Sequence, residues 1–299
     1  MKLTIILQLF IKILIFVLCA YLIHFFIMVN INKELNHLKK SDVLNYIRDD
    51  SLDFITIDKN NVDINLIKAL KYPIIFKPDY CCDFAHAVEV VKNCKEAIDY
   101  INRSIDSSII VQEYHPGPYE ATIFYRKNPY TKNSSIVVSE RVNENAKKDF
   151  WIWKSSISYK YNFHNVARPD LETSLLKEKM DKISNKIPSF YYGRYDIRFR
   201  NYADLKLGKG FKIIELNSFD SGETRRDPRN STLYNLSVFS YWFIERYKYG
   251  LMNISRGNIC SAENYFKMIK KNLTKVKQCK QEDKIQNATR NILISIFPV

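Results

Sequence analysis

The apolar stretch at the N-terminus constrains this chain more than any other feature. From Leu3 to Val29 the only clearly polar side chains are Thr4, Gln8, Lys12 and His24, and Ile13 to Val29 is an almost unbroken apolar run. At about 1.5 Å per residue, roughly 20 such residues cross a hydrocarbon core about 30 Å thick, and Lys12 can snorkel to one headgroup layer. The expectation is a single N-terminal transmembrane helix. A cleaved signal peptide is the alternative, but the run is long and Met28-Val29-Asn30-Ile31-Asn32 lacks the small residues of a cleavage site. Lys2 and Lys12 lie on one side of the run, and Lys33, Lys39, Lys40 and Arg48 on the other. The positive-inside rule therefore puts the C-terminal domain in the cytoplasm.

The rest of the chain has a globular composition. Of its 299 residues 46% are hydrophobic and 26% charged, which excludes disordered, collagen-like and disulfide mini-protein classes. Cys81, Cys82, Cys94, Cys260 and Cys279 lack metal-ligand spacing, a pattern that fits reduced thiols. The net charge of +14 suits an anionic partner. Lys267, Lys270, Lys271, Lys275, Lys277 and Lys280 concentrate it near the C-terminus, where contact with anionic lipid of the cytoplasmic leaflet is the expected use; no nucleic-acid motif accompanies them.

Periodicity divides the chain into a membrane anchor (1–32), a polar stalk and lead-in (33–70), a main domain (71–258) and a basic helical tail (259–299). Within the main domain, strands are expected at Tyr72 to Lys77, Ser108 to Glu113, Glu120 to Tyr125, Ser135 to Glu140, Tyr191 to Phe199 and Gly210 to Leu216. Helices are expected at Ala85 to Tyr100, at Asp170 to Ile187, and at Ser231 to Tyr249. The last is apolar most of the way round and so reads as buried. Asn143 to Arg168 reads as a long aromatic-rich loop.

Four local patterns carry the chemistry: Pro73-Ile-Ile-Phe-Lys77-Pro78; Val111-Gln112-Glu113-Tyr114 with Gly117-Pro118-Tyr119-Glu120; Gly193-Arg194-Tyr195-Asp196-Ile197-Arg198; and Ile213-Ile214-Glu215-Leu216-Asn217. Strand alternation puts Arg194, Asp196 and Arg198 on one face, and Glu215 and Asn217 on one face. On adjacent strands, two carboxylates and an amide oxygen converge, a hard-oxygen set suited to Mg²⁺. The same acids also fit cross-strand salt bridges with the nearby arginines.

In this order and at these separations the patterns resemble the ATP-grasp superfamily, especially the D-alanine–D-alanine ligase branch and its carboxylate-amine ligase relatives. The resemblance covers about residues 70 to 258. It implies an α+β fold of two subdomains sandwiching the nucleotide, here preceded by one transmembrane helix. It implies ATP and Mg²⁺, with metal on Asp196, Glu215 and Asn217, and Arg194 stabilising the phosphoryl group. Lys77 would meet the nucleotide phosphates, Gln112, Glu113 and Tyr114 the adenine, Glu120 the ribose hydroxyls, and Lys160 in Tyr159-Lys160-Tyr161 the γ-phosphate.

The sequence also departs from that family. Its lysine-proline strand leads into Asp79-Tyr80-Cys81-Cys82-Asp83-Phe84-Ala85-His86, which has no glycine and two acids expected to repel phosphate. Two functions therefore remain open. One is an ATP- and Mg²⁺-dependent ligase joining a small-molecule or peptide carboxylate to an amine or thiol through an acylphosphate, at a membrane. The other is a degenerate nucleotide-binding module with a scaffolding or regulatory role.

Overall fold

The computed structural model describes residues 2–80, 88–115, 117–143, 163–218 and 231–270. Its strands form two wholly antiparallel sheets, and their helices make the fold class α+β. The smaller sheet has four strands: β1 (Phe54–Asp58), β2 (Ile74–Pro78), β3 (Glu89–Val91) and β4 (Ser108–Glu113), in the order β1-β4-β2-β3. The larger has five: β5 (Tyr119–Lys127), β6 (Ser134–Asn143), β7 (Phe163–Ala167), β8 (Tyr192–Phe199) and β9 (Phe211–Asn217), in the order β7-β6-β5-β8-β9. The chain passes from one sheet to the other across residues 114–118.

Seven helices with described bounds accompany them. They are α1 (Lys2–Val29), α2 (Lys40–Asn45), α3 (Ile64–Ala69), α4 (Cys94–Arg103), α5 (Ser174–Ser184), α6 (Tyr202–Lys206) and α7 (Thr232–Ser255). A further helical segment runs over 262–270. Of these, α1 is long and apolar enough to cross a membrane.

Alternation gives the larger sheet two unlike faces. On one, Ala121, Ile123, Tyr125, Val138, Tyr195, Ile197 and Ile213 are buried against Val43 and Leu44 of α2 and Leu176, Met180 and Ile183 of α5. On the other stand Glu120, Thr122, Arg194, Asp196, Arg198, Glu215 and Asn217, as the register Thr122↔Asp196 and Asp196↔Glu215 requires. The smaller sheet packs Ile74, Phe76, Ile109 and Val111 against Ile67 of α3 and Ala97, Tyr100 and Ile101 of α4.

Several elements differ from the sequence-based expectation. Residues 33–70, read as stalk and lead-in, send Leu35, Val43, Leu44, Ile47 and Phe54 into the main core and pair β1 with β4. The helix expected from Ala85 begins at Cys94 in the described part, capped by the Asn93 side chain accepting from the Glu96 N–H; Val90 and Val91 before it form a strand with β2. Part of the expected loop, Phe163–Ala167, pairs with β6. The helix α7 is the largest departure: it is exposed over its first half, with Val238 its one buried residue there. Apolarity all round fits an apolar solvent as well as a protein core.

The root of α1 is built into the domain. Asn32 is fully buried; its amide nitrogen donates to the Tyr192 carbonyl and to Ser218 Oγ, and its oxygen accepts from the Tyr191 and Tyr192 N–H groups. Ser218 in turn donates to Asn36. Ile27, Met28 and Ile31 pack with Phe124, Tyr192 and Tyr249. The helix therefore leaves the domain from the polar-face side of the larger sheet, beside the end of β9.

Neighbouring leucines on α5 test the placement of the core. Leu176 is fully buried and Leu175 is 48% exposed. Leu176→Ala is expected to destabilise by about 2–5 kcal/mol, and Leu175→Ala by no more than about 0.5 kcal/mol, read by denaturant unfolding of the detergent-solubilised chain.

Candidate functional site

The polar face of β8 and β9 meets the smaller sheet through buried charged side chains. A β-bulge makes the junction: Asp196 opposes Glu215, Ile197 opposes Ile213, and Ile214 is the extra residue. Lys77 crosses from β2 and donates to the Ile214 carbonyl at 2.7 Å and to Gln112 Oε1 at 2.8 Å. Gln112 Nε2 is buried without a hydrogen-bond partner, as is Ser139 Oγ on the polar face of β6. Each such orphan costs about 1–3 kcal/mol.

Asp196 is buried. It accepts a fork from Arg194, Nε to Oδ1 at 2.7 Å and a second nitrogen to Oδ2 at 3.1 Å, and Asn217 Nδ2 lies 3.2 Å from Oδ2. Glu215 pairs with Lys40 at 2.9 Å. Instead of the cross-strand pairs with arginine open to these acids from the sequence, Asp196 pairs with Arg194 on its own strand and Glu215 with Lys40 of α2. They still leave an acceptor set: each Asp196 oxygen keeps lone pairs beyond the guanidinium contact, and Asn217 turns its nitrogen to Asp196, leaving its amide oxygen as an acceptor. Two carboxylates and an amide oxygen fit Mg²⁺, which takes few protein ligands and keeps waters and substrate phosphates. Among the described residues no group of three or more His, Cys, Asp or Glu comes together.

Charges around Lys77 shift one another. Burial pushes the Lys77 ammonium down to about 8, with Lys40 helping and Glu215, Asp196 and Asp79 opposing. Burial alone would raise the Glu215 carboxyl, but Lys40 and Lys77 outweigh it and hold the group at about 2. Glu215 is therefore ionised at neutral pH, and Lys77 is cationic but within reach of mild alkali.

Farther along the same face, Glu120 pairs with Arg141 at 2.9 Å and lies 3.9 Å from Arg198. Arg198 also donates to the His115 carbonyl in the crossover. Glu113 and Tyr114 stand at the start of that crossover; the Glu113 N–H donates to the Asp53 carbonyl and its side chain is exposed. Lys160 lies outside the described residues. The structure thus brings Lys77, Gln112, Arg194, Asp196, Glu215 and Asn217 together, with Glu120 beside them and Glu113 and Tyr114 at the edge.

Two contributors were not legible in the sequence as parts of the site. Lys40 reaches Glu215 from a helix of six residues far away in the chain. Asp79, expected to repel phosphate, is instead buried and accepts from the Ser41 N–H, Ser41 Oγ and Ser108 Oγ. It faces α2 and fixes the turn that carries Lys40. No local pattern marks either role.

Gly193 allows β8 and β9 to close. A Cβ there would stand 2.6 Å from the Asn217 carbonyl oxygen and 2.7 Å from the Phe190 ring, so any larger residue displaces the end of β9.

No protein-family model matches the sequence, and no curated protein matches it significantly. Among solved structures the chain is similar to the D-alanine–D-alanine ligase from Bacillus anthracis, at 15% identity and a TM-score of 0.44 over 77% of this chain and 68% of that one. It is similar to the L-amino acid ligase from Bacillus licheniformis at 13% identity and a TM-score of 0.43, over 62% of this chain and 41% of the ligase. The D-alanine–D-alanine ligase from Helicobacter pylori gives 16% identity and a TM-score of 0.42, over 73% and 57%.

The Lys77 shift makes a prediction. A bound polyanion favours the ammonium, so affinity for a polyphosphate is flat below the free-site value of about 8 and falls as pH rises through it. Calorimetric ATP titration between pH 7 and 9.5 is expected to show that fall in wild type, and weak, pH-independent binding in Lys77→Met.

Proposed function

We propose that the chain is a membrane-anchored ligase of the ATP-grasp kind, using ATP to join a carboxylate to an amine. The observation that carries the proposal is the charged constellation between the two sheets. Lys77 and Gln112 from one antiparallel sheet face Arg194, Asp196, Glu215 and Asn217 on the next, in the chain order of the four motifs. Lys40, Lys77, Arg141, Arg194 and Arg198 stand against Glu120, Asp196 and Glu215. With Asp79, whose charge also acts on Lys77, five cations stand against four carboxylates, an excess of one positive charge that suits a nucleoside triphosphate.

In this reading the substrate carboxylate attacks the γ-phosphorus, the bond to the β-phosphate oxygen breaks, and ADP leaves an acylphosphate. The amine nitrogen then attacks the acyl carbon, losing a proton as phosphate departs. Lys77, held straight by Gln112 and the Ile214 carbonyl, presents its ammonium to the phosphates. Arg194 offsets the charge of the phosphoryl group in flight, with Asp196 fixing its plane. Asp196, Glu215 and Asn217 would hold Mg²⁺, which supplies charge neutralisation to the phosphate oxygens when bound. Glu120 is assigned to the ribose hydroxyls, Glu113 and Tyr114 to the adenine edge, and Lys160 to the γ-phosphate. The helix α1 crosses the membrane with the domain on the cytoplasmic side, and the basic C-terminal segment contacts anionic headgroups.

A second reading, a nucleotide-binding module without turnover, draws on one observation: both metal-motif carboxylates already have tethered cations, Arg194 and Lys40. Turnover separates the two. With the full chain in detergent, the ligase reading expects ADP release that requires both a carboxylate and an amine from a screened pool, reduced at least about 100-fold in Asp196→Asn. ATP binding with no ADP under any substrate pair would favour the second.

A further inference from the structure

Three cations act on Glu215, and they are held in different ways. The Lys77 ammonium is buried and committed to Gln112 and the Ile214 carbonyl. The Arg194 guanidinium is forked onto Asp196. Lys40 comes from α2, outside both sheets; its ammonium meets Glu215 at 2.9 Å and its side chain is 22% exposed. An ammonium on a four-carbon stem has three rotatable donors and can exchange one acceptor for another, whereas a forked guanidinium loses two aligned bonds if it turns.

The backbone beneath Lys40 is fixed even so. The Lys40 N–H donates to the Asp79 carbonyl at 3.1 Å, and the Ser41 N–H and Oγ donate to the Asp79 carboxylate at 2.9 and 2.8 Å. Asp79 directly follows Pro78 at the end of β2, two residues after Lys77, so one junction sets where both ammonium groups start. Upstream, Asn32 donates to Ser218 Oγ at 2.9 Å and Asn36 accepts from it at 3.0 Å, and Ser218 directly follows Asn217. The segment 32–41 is thus laid along the metal motif of β9, touching it at Ser218 and at Glu215. A half-buried carboxylate needs a counter-charge. A divalent ion draws hard oxygen ligands more strongly than an ammonium does, so Glu215 can exchange its lysine for a metal.

We infer that Lys40 is a phosphate-binding residue of the nucleotide site, neutralising Glu215 while the site is empty and turning its ammonium to the triphosphate when Mg²⁺ takes Glu215. The inference rests on the reading of this site as one for ATP and of Glu215 as a metal ligand. It adds to the site a residue from the segment that joins α1 to the domain, outside the four motifs. It also gives the Lys40–Glu215 pair a meaning of its own: the resting state of a working site.

Two binding measurements on the full chain in detergent test this, with Lys40→Gln and Lys40→Met read in parallel and folding checked by thermal unfolding. Mn²⁺, a hard divalent ion with a paramagnetic signal, is titrated without nucleotide, and ATP is titrated calorimetrically at saturating Mg²⁺. The inference expects changes of opposite sign. Mn²⁺ binds at least about threefold more tightly in the variants, because a competing ammonium is gone, and ATP at least about tenfold more weakly, because a charge-assisted bond to phosphate is lost. Lys39→Gln removes the same charge one residue away, beside the Tyr80 ring, and is expected to change either affinity by no more than about twofold. If a folded Lys40 variant binds ATP as wild type does, or Mn²⁺ no more tightly, the role of Lys40 is wrong and the nucleotide reading stands. Equal effects from Lys39→Gln would reduce the result to general charge and overturn the inference. A wild type that binds no ATP sinks the nucleotide reading, and the inference with it.

Discussion

A sheet apolar on one face and charged on the other must be covered in two different ways, and most of this structure follows from that constraint on β5 to β9. The apolar face is closed by α2 and α5 through Leu44, Leu176, Met180 and Ile183. The charged face cannot be closed that way, because burying an unpaired carboxylate such as Asp196 would cost several kcal/mol. It is instead neutralised side chain by side chain, Asp196 by Arg194, Glu215 by Lys40 and Glu120 by Arg141. What remains is a charged contact between the sheets rather than an apolar core. The smaller sheet closes over it through a polar contact, the Lys77 ammonium on the Ile214 carbonyl.

The bulge at Ile214 and the glycine at 193 set the spacing at that contact. Without the bulge, alternation would continue unbroken from Glu215 toward Lys212; with it, Glu215 and Asn217 stay opposite Asp196 and Arg194 while Ile213 turns into the core. The same face becomes apolar at its far end, where Phe124 and Tyr192 receive Ile27, Met28 and Ile31. The helix α1 and the polar site thus share one surface of one sheet. Asn32 joins them, with both ends of its amide satisfied by Tyr191, Tyr192 and Ser218. A helix so rooted is part of the fold, and cutting the chain at residue 33 would remove the buried packing of Ile27, Met28, Ile31 and Asn32.

Much of this could be read from the residues alone. Ser108–Glu113 is a strand by composition and by structure, and Arg194, Asp196, Glu215 and Asn217 share a face because alternation is a property of any strand. Three things were out of reach for physical reasons. Phe54–Asp58 is an edge strand whose partner lies far along the chain, so nothing local identifies it. Lys40 and Asp79 acquire their roles by tertiary contact across α2. The α7 sequence states that its surroundings are apolar without saying whether they are protein or lipid.

We propose that the polar face of β8 and β9, closed by Lys77, is a nucleotide and metal site. The most direct measurement is ATP binding by the full chain in nanodiscs, with and without Mg²⁺, comparing wild type with the Glu215→Ala, Asn217→Ala double variant. Binding that requires Mg²⁺ in wild type and is lost in a folded double variant is the predicted result. A folded wild type that binds no ATP with or without Mg²⁺, or a double variant that binds as tightly as wild type, would contradict it.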